Sequence, residues 1–133
     1  MSKVMAIDIE TANYSHEIGG WDNTHMFEPT VVATWDGEEA HVFSKADGAI
    51  VADNGGIIVG HNIRGFDLPV LRDALDMHYA GVLLNKKESI VDTSWEVRSA
   101  CGKSHHLDSL CKHTLGVGKE IMDSADAPVA WKE

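Results

Sequence analysis

Two carboxylates lie two residues apart at the end of an apolar run, in the segment Ala6-Ile7-Asp8-Ile9-Glu10-Thr11. The side chains of a strand alternate between its two faces, so Asp8 and Glu10 point the same way, about 7 Å apart along the strand. A divalent cation between two such carboxylates allows both to stay ionised. The pair therefore indicates a metal site at a strand end, and two solvated carboxylates in a turn are the alternative.

A second polar group follows another short apolar run, in the segment Gly60-His61-Asn62-Ile63-Arg64-Gly65-Phe66-Asp67-Leu68-Pro69-Val70-Leu71. The segment begins where a strand ends and continues into a helix, with Asp67 at the helix start. An ordinary N-cap is the structural interpretation, because Asp is a preferred cap and Pro69 suits the first turn. A third metal-binding carboxylate is the functional interpretation.

Apolar runs and turn signals divide the chain into alternating strands and helices. Residues 4–9 are nearly all apolar, which is typical of a central strand covered on both faces. Asp36-Gly37 is a tight-turn signal between two β-prone segments and predicts a hairpin. The same patterns predict a loop over 12–29, hairpin strands over 30–35 and 40–43, a short helix over 44–52, strands over 57–59 and 90–91, and helices near 68–75, 94–100 and 107–115. This order predicts an α/β protein with a mixed sheet and helices packed on it.

Size and composition restrict the classes of protein that this chain fits. With 133 residues it has the length of one domain, 1–133, and its 44% hydrophobic residues are ordinary for a globular protein. No apolar run reaches the length of a membrane span, and the start of the chain lacks a signal peptide, so we expect a cytoplasmic protein. The net charge of −10 argues against non-specific binding to nucleic acid, although bound cations would let an acidic site handle phosphates.

The two acidic segments together, D-I-E-T followed by H-N-x-x-x-F-D-x-P-x-L, resemble the DnaQ-like (DEDD) 3′–5′ exonucleases, and most closely the proofreading domains of family B DNA polymerases. The likeness covers residues 4 to about 118. It implies a ribonuclease H-like fold in which the second strand is antiparallel. It also implies hydrolysis at the 3′ end of DNA or RNA with two Mg²⁺ or Mn²⁺ ions, as in two-metal phosphodiester cleavage generally.

The resemblance carries particular roles to particular residues. Asp8 and Glu10 match the first acidic pair of the family and Asp67 matches its second-motif aspartate, so these three are the expected catalytic and metal-binding residues. Four more are expected to bind substrate. Thr11 and Asn62 would lie near the 3′-terminal nucleotide, with plain turn roles as alternatives, and Phe66 would be either a core residue or a stacking partner. Arg64 is the best candidate for a phosphate contact among the basic residues, because it lies inside the second segment.

The third motif of the family, a Tyr or His followed by an Asp on the last helix, is not found in the sequence. We expect a C-terminally truncated domain that lacks this helix, and a degenerate, catalytically impaired relative that binds nucleic acid or protein is the alternative. Loss of the helix would expose apolar sheet surface, which a homodimer or a replication or repair partner would cover. A haloacid-dehalogenase-type phosphatase, whose strand ends in D-x-D-x-T, is a weaker rival because it leaves the Asn62-to-Leu71 segment unexplained.

Overall fold

A five-stranded mixed sheet forms the centre of the molecule. The computed structural model describes residues 4–44, 56–74, 84 and 87–117. The strand order is β3-β2-β1-β4-β5, in which β1 and β2 pair antiparallel, as do β2 and β3, whereas β4 runs parallel to both β1 and β5. This order, with helices attached to the sheet, confirms the predicted ribonuclease H-like α/β fold with an antiparallel second strand.

The elements follow the predicted order closely. The strands are β1 (Val4–Thr11), β2 (Pro29–Trp35), β3 (Ala40–Ser44), β4 (Ile57–Gly60) and β5 (Ile90–Asp92), and the helices are α1 (Leu68–Ala74), α2 (Thr93–Cys101) and α3 (Leu107–Leu115). Short 3₁₀ turns lie at Ser15–Glu17, Thr24–Met26 and Lys87–Ser89, and a π-helical turn at Ile63–Asp67 leads into α1. The helix predicted over 44–52, Leu75 and the segment 119–133 lie outside the described residues.

The hydrophobic core lies between one face of the sheet and α1. Alternate residues of β1, Ile7 and Ile9, are buried there beside Val32 of β2. Leu68 and Leu71 of α1 cover them, as expected from a helix whose apolar residues recur at positions i and i+3. Because side chains alternate along β1, this packing directs Asp8 and Glu10 to the opposite face.

The hairpin between β2 and β3 is confirmed. Its turn is held by Asp36, whose Oδ1 accepts hydrogen bonds of 2.8 Å from the backbone N–H groups of both Glu38 and Glu39. These bonds favour the ionised carboxylate and lower the pKa of Asp36. Gly37 adopts φ 100°, a conformation that suits glycine.

The last two helices pack loosely within the described part of the chain. No residue of α2 or α3 is buried there, and the apolar residues Leu107 and Leu115 of α3 are exposed. Both helices end at a left-handed glycine, Gly102 and Gly116. None of the helices in the described residues has the length and hydrophobicity of a membrane span.

Candidate active site

The first two predicted site residues lie where β1 passes beyond the end of β4. The parallel pairing of β4 with β1 reaches only to Ala6, whereas the antiparallel pairing with β2 continues to Thr11 with a bulge between Glu10 and Thr11. Bulges are frequent next to active sites because they redirect the side chains near them. Asp8 is exposed and Glu10 is half-buried, so both carboxylates are open to solvent at this sheet edge.

Asp67 approaches the same edge from the other face of the sheet. It ends the π-helical turn, is 4% exposed, and accepts a 3.0 Å hydrogen bond from the backbone N–H of Ile9 at its Oδ2. The carboxylate is therefore fixed on β1 at the residue between Asp8 and Glu10. Burial raises the pKa of Asp67 well above its usual value, and the charges of Asp8 and Glu10 raise it further, while the Ile9 N–H acts in the opposite direction.

These three carboxylates line one cavity of about 500 Å³, which we call the carboxylate pocket. Its volume is typical of sites for small ligands. Thr11, Asn62 and Phe66, three of the four predicted substrate-binding residues, also line it. Its remaining lining residues are Ile9, Asn13, Tyr14, Ser15, His16, Trp21, Phe27, His61 and His106.

Arg64 is the predicted residue that the structure does not bring into this pocket. Its guanidinium lies 5.6 Å from the centre of the Trp95 ring, and its Nη2 donates a 3.4 Å hydrogen bond to the carbonyl of Ile90. These contacts place the Arg64 head group beside β5 and α2. The phosphate contact of Arg64 stays a prediction.

The loop that presents Asn62 is shaped by a second buried aspartate. Asp92 at the end of β5 accepts hydrogen bonds from the backbone N–H groups of Asn62 (2.8 Å) and Arg64 (3.0 Å). It also caps α2 by accepting hydrogen bonds from the backbone N–H groups of Ser94 and Trp95. One carboxylate thus joins the start of α2 to the turn before α1, and this link was missed because it connects residues about thirty positions apart.

Asn62 and its neighbours fill this turn tightly. Asn62 has φ 60° and ψ 31°, the left-handed conformation that Asn tolerates better than most residues. A Cβ on Gly65 would lie 2.6 Å from the Asn62 Oδ1, and a Cβ on Gly60 would lie 2.2 Å from Cγ2 of Ile63. Both glycines therefore permit the close packing that places Asn62 at the pocket.

Aromatic rings form one side of the carboxylate pocket. Phe27 is buried and Phe66 is half-buried, with ring centres 5.1 Å apart. Trp21 packs on both, at 5.8 Å from Phe27 and 5.6 Å from Phe66, yet remains 65% exposed. Of these two aromatic residues from the loop after β1, Phe27 is therefore a core residue and Trp21 presents an open ring.

The chemistry of the three carboxylates suits a hard cation. Within the described ranges no three His, Cys, Asp or Glu side chains are grouped closely enough to hold a metal ion by themselves. Mg²⁺ is nevertheless usually bound by one or two carboxylates together with waters and substrate phosphates. Asp8, Glu10 and Asp67 supply the oxygen donors and negative charge for such a site, so the residues present fit a divalent cation.

Histidines and loop residues of the pocket were missed in the sequence. His16, His61 and His106 come from three separate segments, so no local motif marks them as a group. His61 donates a 2.8 Å hydrogen bond to the backbone carbonyl of His105, and this bond holds the segment before α3 at the site. In the sequence, His61 stands in the second polar segment, and His105 and His106 form an adjacent pair.

Solved structures of the same fold include proteins described as nucleases. Brucella melitensis NrnC with bound Mg²⁺ is 22% identical with a TM-score of 0.60, over 94% of this chain and 59% of that one. The family B DNA polymerase of the archaeon Pyrobaculum calidifontis is 19% identical with a TM-score of 0.66, over 100% and 21%. RNase D of Escherichia coli, an exoribonuclease involved in structured RNA processing, is 18% identical with a TM-score of 0.56, over 90% and 29%.

These comparisons confirm the resemblance to DnaQ-like nucleases at the level of the fold. The chain spans about three fifths of NrnC and smaller parts of the other two proteins. NrnC has also been solved bound to pGG. Comparison with protein-family models gives no match, and neither does comparison with curated proteins.

Proposed function

We propose that this chain is a metal-dependent 3′–5′ exonuclease that hydrolyses the phosphodiester bond at the 3′ end of DNA or RNA. The observation that carries the proposal is the position of Asp67, a buried carboxylate fixed on β1 between Asp8 and Glu10, each of which raises its pKa. Placing a third negative group against two others is unfavourable unless a cation shares the site. The fold, which is that of known nucleases, supports the same interpretation.

Asp8, Glu10 and Asp67 would hold two Mg²⁺ or Mn²⁺ ions together with substrate phosphate oxygens. Such ions supply an activated water as nucleophile and stabilise the oxygen that leaves. The protein's own part is to keep Asp67 on β1 through the Ile9 N–H and to hold the two β1 carboxylates at the open sheet edge. The cation would also offset the charge repulsion that burial of Asp67 creates.

The substrate would enter with an unpaired 3′ end. The pocket has the size of a small-ligand site, and the exposed ring of Trp21 offers a face on which a nucleobase can stack. Thr11 and Asn62 line the same pocket as the carboxylates and would contact the terminal nucleotide. Phe66 supports Trp21 and contributes its own edge to the pocket.

The test is degradation of a 5′-labelled single-stranded oligonucleotide, as DNA and as RNA, in Mg²⁺ or Mn²⁺. A ladder of products shortened from the 3′ end, absent with Asp8→Ala and with EDTA, is the expected result. Asp22→Ala is a matched control, because Asp22 is an exposed aspartate outside the pocket. Products that are internal fragments, or a ladder that survives in Asp8→Ala, would contradict the proposal.

A nuclease-like module that binds nucleic acid or protein without cutting is the second candidate. It is favoured by the lack of a closely grouped set of three metal ligands in the described residues. This candidate predicts that Asp8→Ala leaves the binding of single strands in Mg²⁺ unchanged and that the wild type produces no ladder. Cytoplasmic location, a homodimer and a replication or repair partner stay predictions.

A further inference from the structure

Charged side chains are distributed unevenly around the carboxylate pocket. Residues 4–44, which form β1, β2, β3 and the loop after β1, contain eight acidic side chains and no lysine or arginine. This part of the molecule repels the phosphates of a strand whose 3′ end lies in the pocket. The rest of such a strand would therefore leave the pocket on another side, over one of the helices.

The basic residues of α1 and α3 are engaged in local ion pairs. Arg72 of α1 donates hydrogen bonds of 2.6 and 2.8 Å to the adjacent Asp73. Lys112 of α3 lies 2.9 Å from Asp108, one turn earlier on the same helix. Arg98 of α2, in contrast, is exposed and makes no ion pair with another described residue. The helix that offers an open positive charge is therefore α2.

Hydrogen bonds place the first turn of α2 at the rim of the carboxylate pocket. The Oδ1 of Asp92 accepts from the backbone N–H of Asn62 at 2.8 Å and from that of Trp95 at 3.3 Å, so one oxygen atom separates these two residues. Asn62 lines the pocket. His61 also lines it, and its Nδ1 lies 2.9 Å from the hydroxyl of Thr93. The start of α2 is therefore continuous with the pocket.

Trp95 and Arg64 form a stacked pair at this rim. The Arg64 guanidinium lies over the Trp95 ring, 5.6 Å from its centre, yet Trp95 remains 54% exposed. The Nη2 of Arg64 also donates a 3.4 Å hydrogen bond to the carbonyl of Ile90, which holds the guanidinium in place. An arginine stacked on an aromatic ring keeps its positive charge, so the pair combines an open ring with a cation.

Arg98 extends this pair along α2. It follows Trp95 by three residues, and residues three apart are neighbours on the surface of a helix, whereas the adjacent Glu96 points in another direction. The other acidic residue here, Asp92, is buried and bonded to backbone N–H groups. We call Arg64, Trp95 and Arg98 the α2 platform. Aromatic rings interspersed with cations are the usual means of binding single strands without regard to sequence.

We propose that the α2 platform binds the single-stranded segment of DNA or RNA that lies upstream of the 3′ end, an inference that rests on the proposed exonuclease function. A base of this segment stacks on Trp95, and Arg64 and Arg98 contact its phosphates. The 3′-terminal nucleotide occupies the carboxylate pocket at the same time. Affinity then depends on strand length, because a mononucleotide reaches only the pocket.

The first experiment compares ligands of two lengths, bound in Ca²⁺: thymidine 5′-monophosphate, and fluorescent oligothymidylate or oligouridylate of eight nucleotides. We expect Trp95→Ala to weaken oligonucleotide binding about 5- to 150-fold, the range for one stacked base, and to leave mononucleotide binding unchanged. Trp35→Ala is the control, because Trp35 is 49% exposed and belongs to β2, outside the carboxylate pocket. Oligonucleotide affinity equal to wild type in Trp95→Ala, or an equal loss for the mononucleotide, would overturn the inference.

The second experiment measures the salt dependence of oligonucleotide binding. Arg98→Gln should reduce the slope of log affinity against log salt concentration by about 0.7, the value for one phosphate contact with a single strand. Lys112→Gln removes the same charge from an exposed, ion-paired lysine of α3 and should leave the slope unchanged. A wild-type slope in Arg98→Gln, or equal reductions in the two variants, would overturn the role of Arg98 in the α2 platform.

Cleavage in Mg²⁺ separates the failure of this inference from that of the exonuclease proposal. A wild type that shortens the oligonucleotides from the 3′ end, with Trp95→Ala and Arg98→Gln binding them equally well, overturns the α2 platform alone. Loss of oligonucleotide affinity in Trp95→Ala, with no cleavage by the wild type, supports the platform and overturns the exonuclease. A wild type that neither cuts nor binds overturns both.

Discussion

Asp67 and Asp92 are both buried, at 4% and 3% exposure, but their surroundings have opposite effects on the ionised carboxylate. Asp67 accepts one backbone N–H and faces the charges of Asp8 and Glu10, so burial is unfavourable for its ionised form. Asp92 accepts from four backbone N–H groups, which compensate the loss of water. The first arrangement is typical of a functional residue and the second of a structural one.

This contrast predicts opposite effects of the same substitution. In EDTA at pH 7.5, Asp67→Asn should leave the free energy of unfolding unchanged or raise it, because it removes a buried charge that two carboxylates repel. Asp92→Asn should lower it by about 2 kcal/mol, since hydrogen bonds to an ionised acceptor are replaced by weaker ones. Urea unfolding measures both values, and the same sign for the two variants would contradict this interpretation.

Trp21 is a second residue whose contacts favour ligand binding. Trp21→Ala should weaken the binding of a fluorescent single-stranded oligonucleotide in Ca²⁺ by about 1–3 kcal/mol, which is the usual contribution of a base stacked on an aromatic ring. Trp21→Phe should retain part of the affinity. Trp35→Ala is the matched control because Trp35 is also exposed but lies outside the carboxylate pocket. Equal losses of oligonucleotide affinity in Trp21→Ala and Trp35→Ala would rule out a specific stacking role for Trp21.

At the scale of elements, the loop after β1 is held onto α1 by one carboxylate. Asp73 accepts hydrogen bonds from Thr24 Oγ1 (2.5 Å) and from two guanidinium nitrogens of Arg72 (2.6 and 2.8 Å). These contacts lower the pKa of Asp73 to about 2, first through Arg72 and then through Thr24. Thr24 belongs to the same loop as Trp21, so this link also helps to place the aromatic side of the pocket.

The lowered pKa of Asp73 predicts an acid-sensitive contribution to stability. The folded state favours the ionised carboxylate, so the contribution is complete above about pH 4, the unfolded value, and is lost as the pH falls through about 2. We expect Asp73→Asn to lower the free energy of unfolding at pH 7 by about 1 kcal/mol, a figure reduced for solvent screening because the side chain is 27% exposed.

Urea unfolding at pH 7, 4 and 3 measures the difference in the free energy of unfolding between wild type and Asp73→Asn. The difference should shrink toward the lowest pH, and Asp22→Asn in the same loop should change stability little at any of these values. A constant difference at all three pH values would exclude the ion-pair explanation. A double-mutant cycle of Asp73→Asn and Thr24→Val gives the interaction free energy between the Thr24 hydroxyl and the Asp73 carboxylate.

At the scale of the whole molecule, the two faces of the sheet differ. The register places Val4, Trp35, Val42 and Val91 on the face that carries Asp8, opposite the core, and all four are exposed among the described residues. A second cavity of about 440 Å³, lined largely by apolar side chains, lies on this face. Apolar surface of this kind is unusual on a monomer.

A homodimer that covers this face predicts a dimeric mass by light scattering at micromolar concentration. Val42→Lys should shift the mass toward that of a monomer, because the charge would have to be buried without a partner. Val117→Lys, at an exposed valine beyond α3, should not. A monomeric wild type would contradict the homodimer, and the exonuclease proposal would be unaffected.

The local signals in the sequence predicted most of the elements and three carboxylates of the site. Short apolar runs, the Asp36-Gly37 turn and the helical spacing of apolar residues act over a few residues, so they are readable without tertiary structure. The spacing of apolar residues also predicted the helix α3, but not the exposure of Leu107 and Leu115 among the described residues, because periodicity shows which side chains share a face and not what lies against it.

The sequence by itself determined where the acidic residues stand on the predicted elements: a carboxylate pair at the end of β1 and an aspartate at the start of α1. Tertiary structure alone decided that Asp67 binds the Ile9 N–H, that Asp92 holds the Asn62 turn, and that His106 reaches the pocket while Arg64 lies beside Trp95. The physical reason is that hydrogen bonds and charge interactions depend on distance in space, which packing of the sheet and helices sets between residues far apart in the chain.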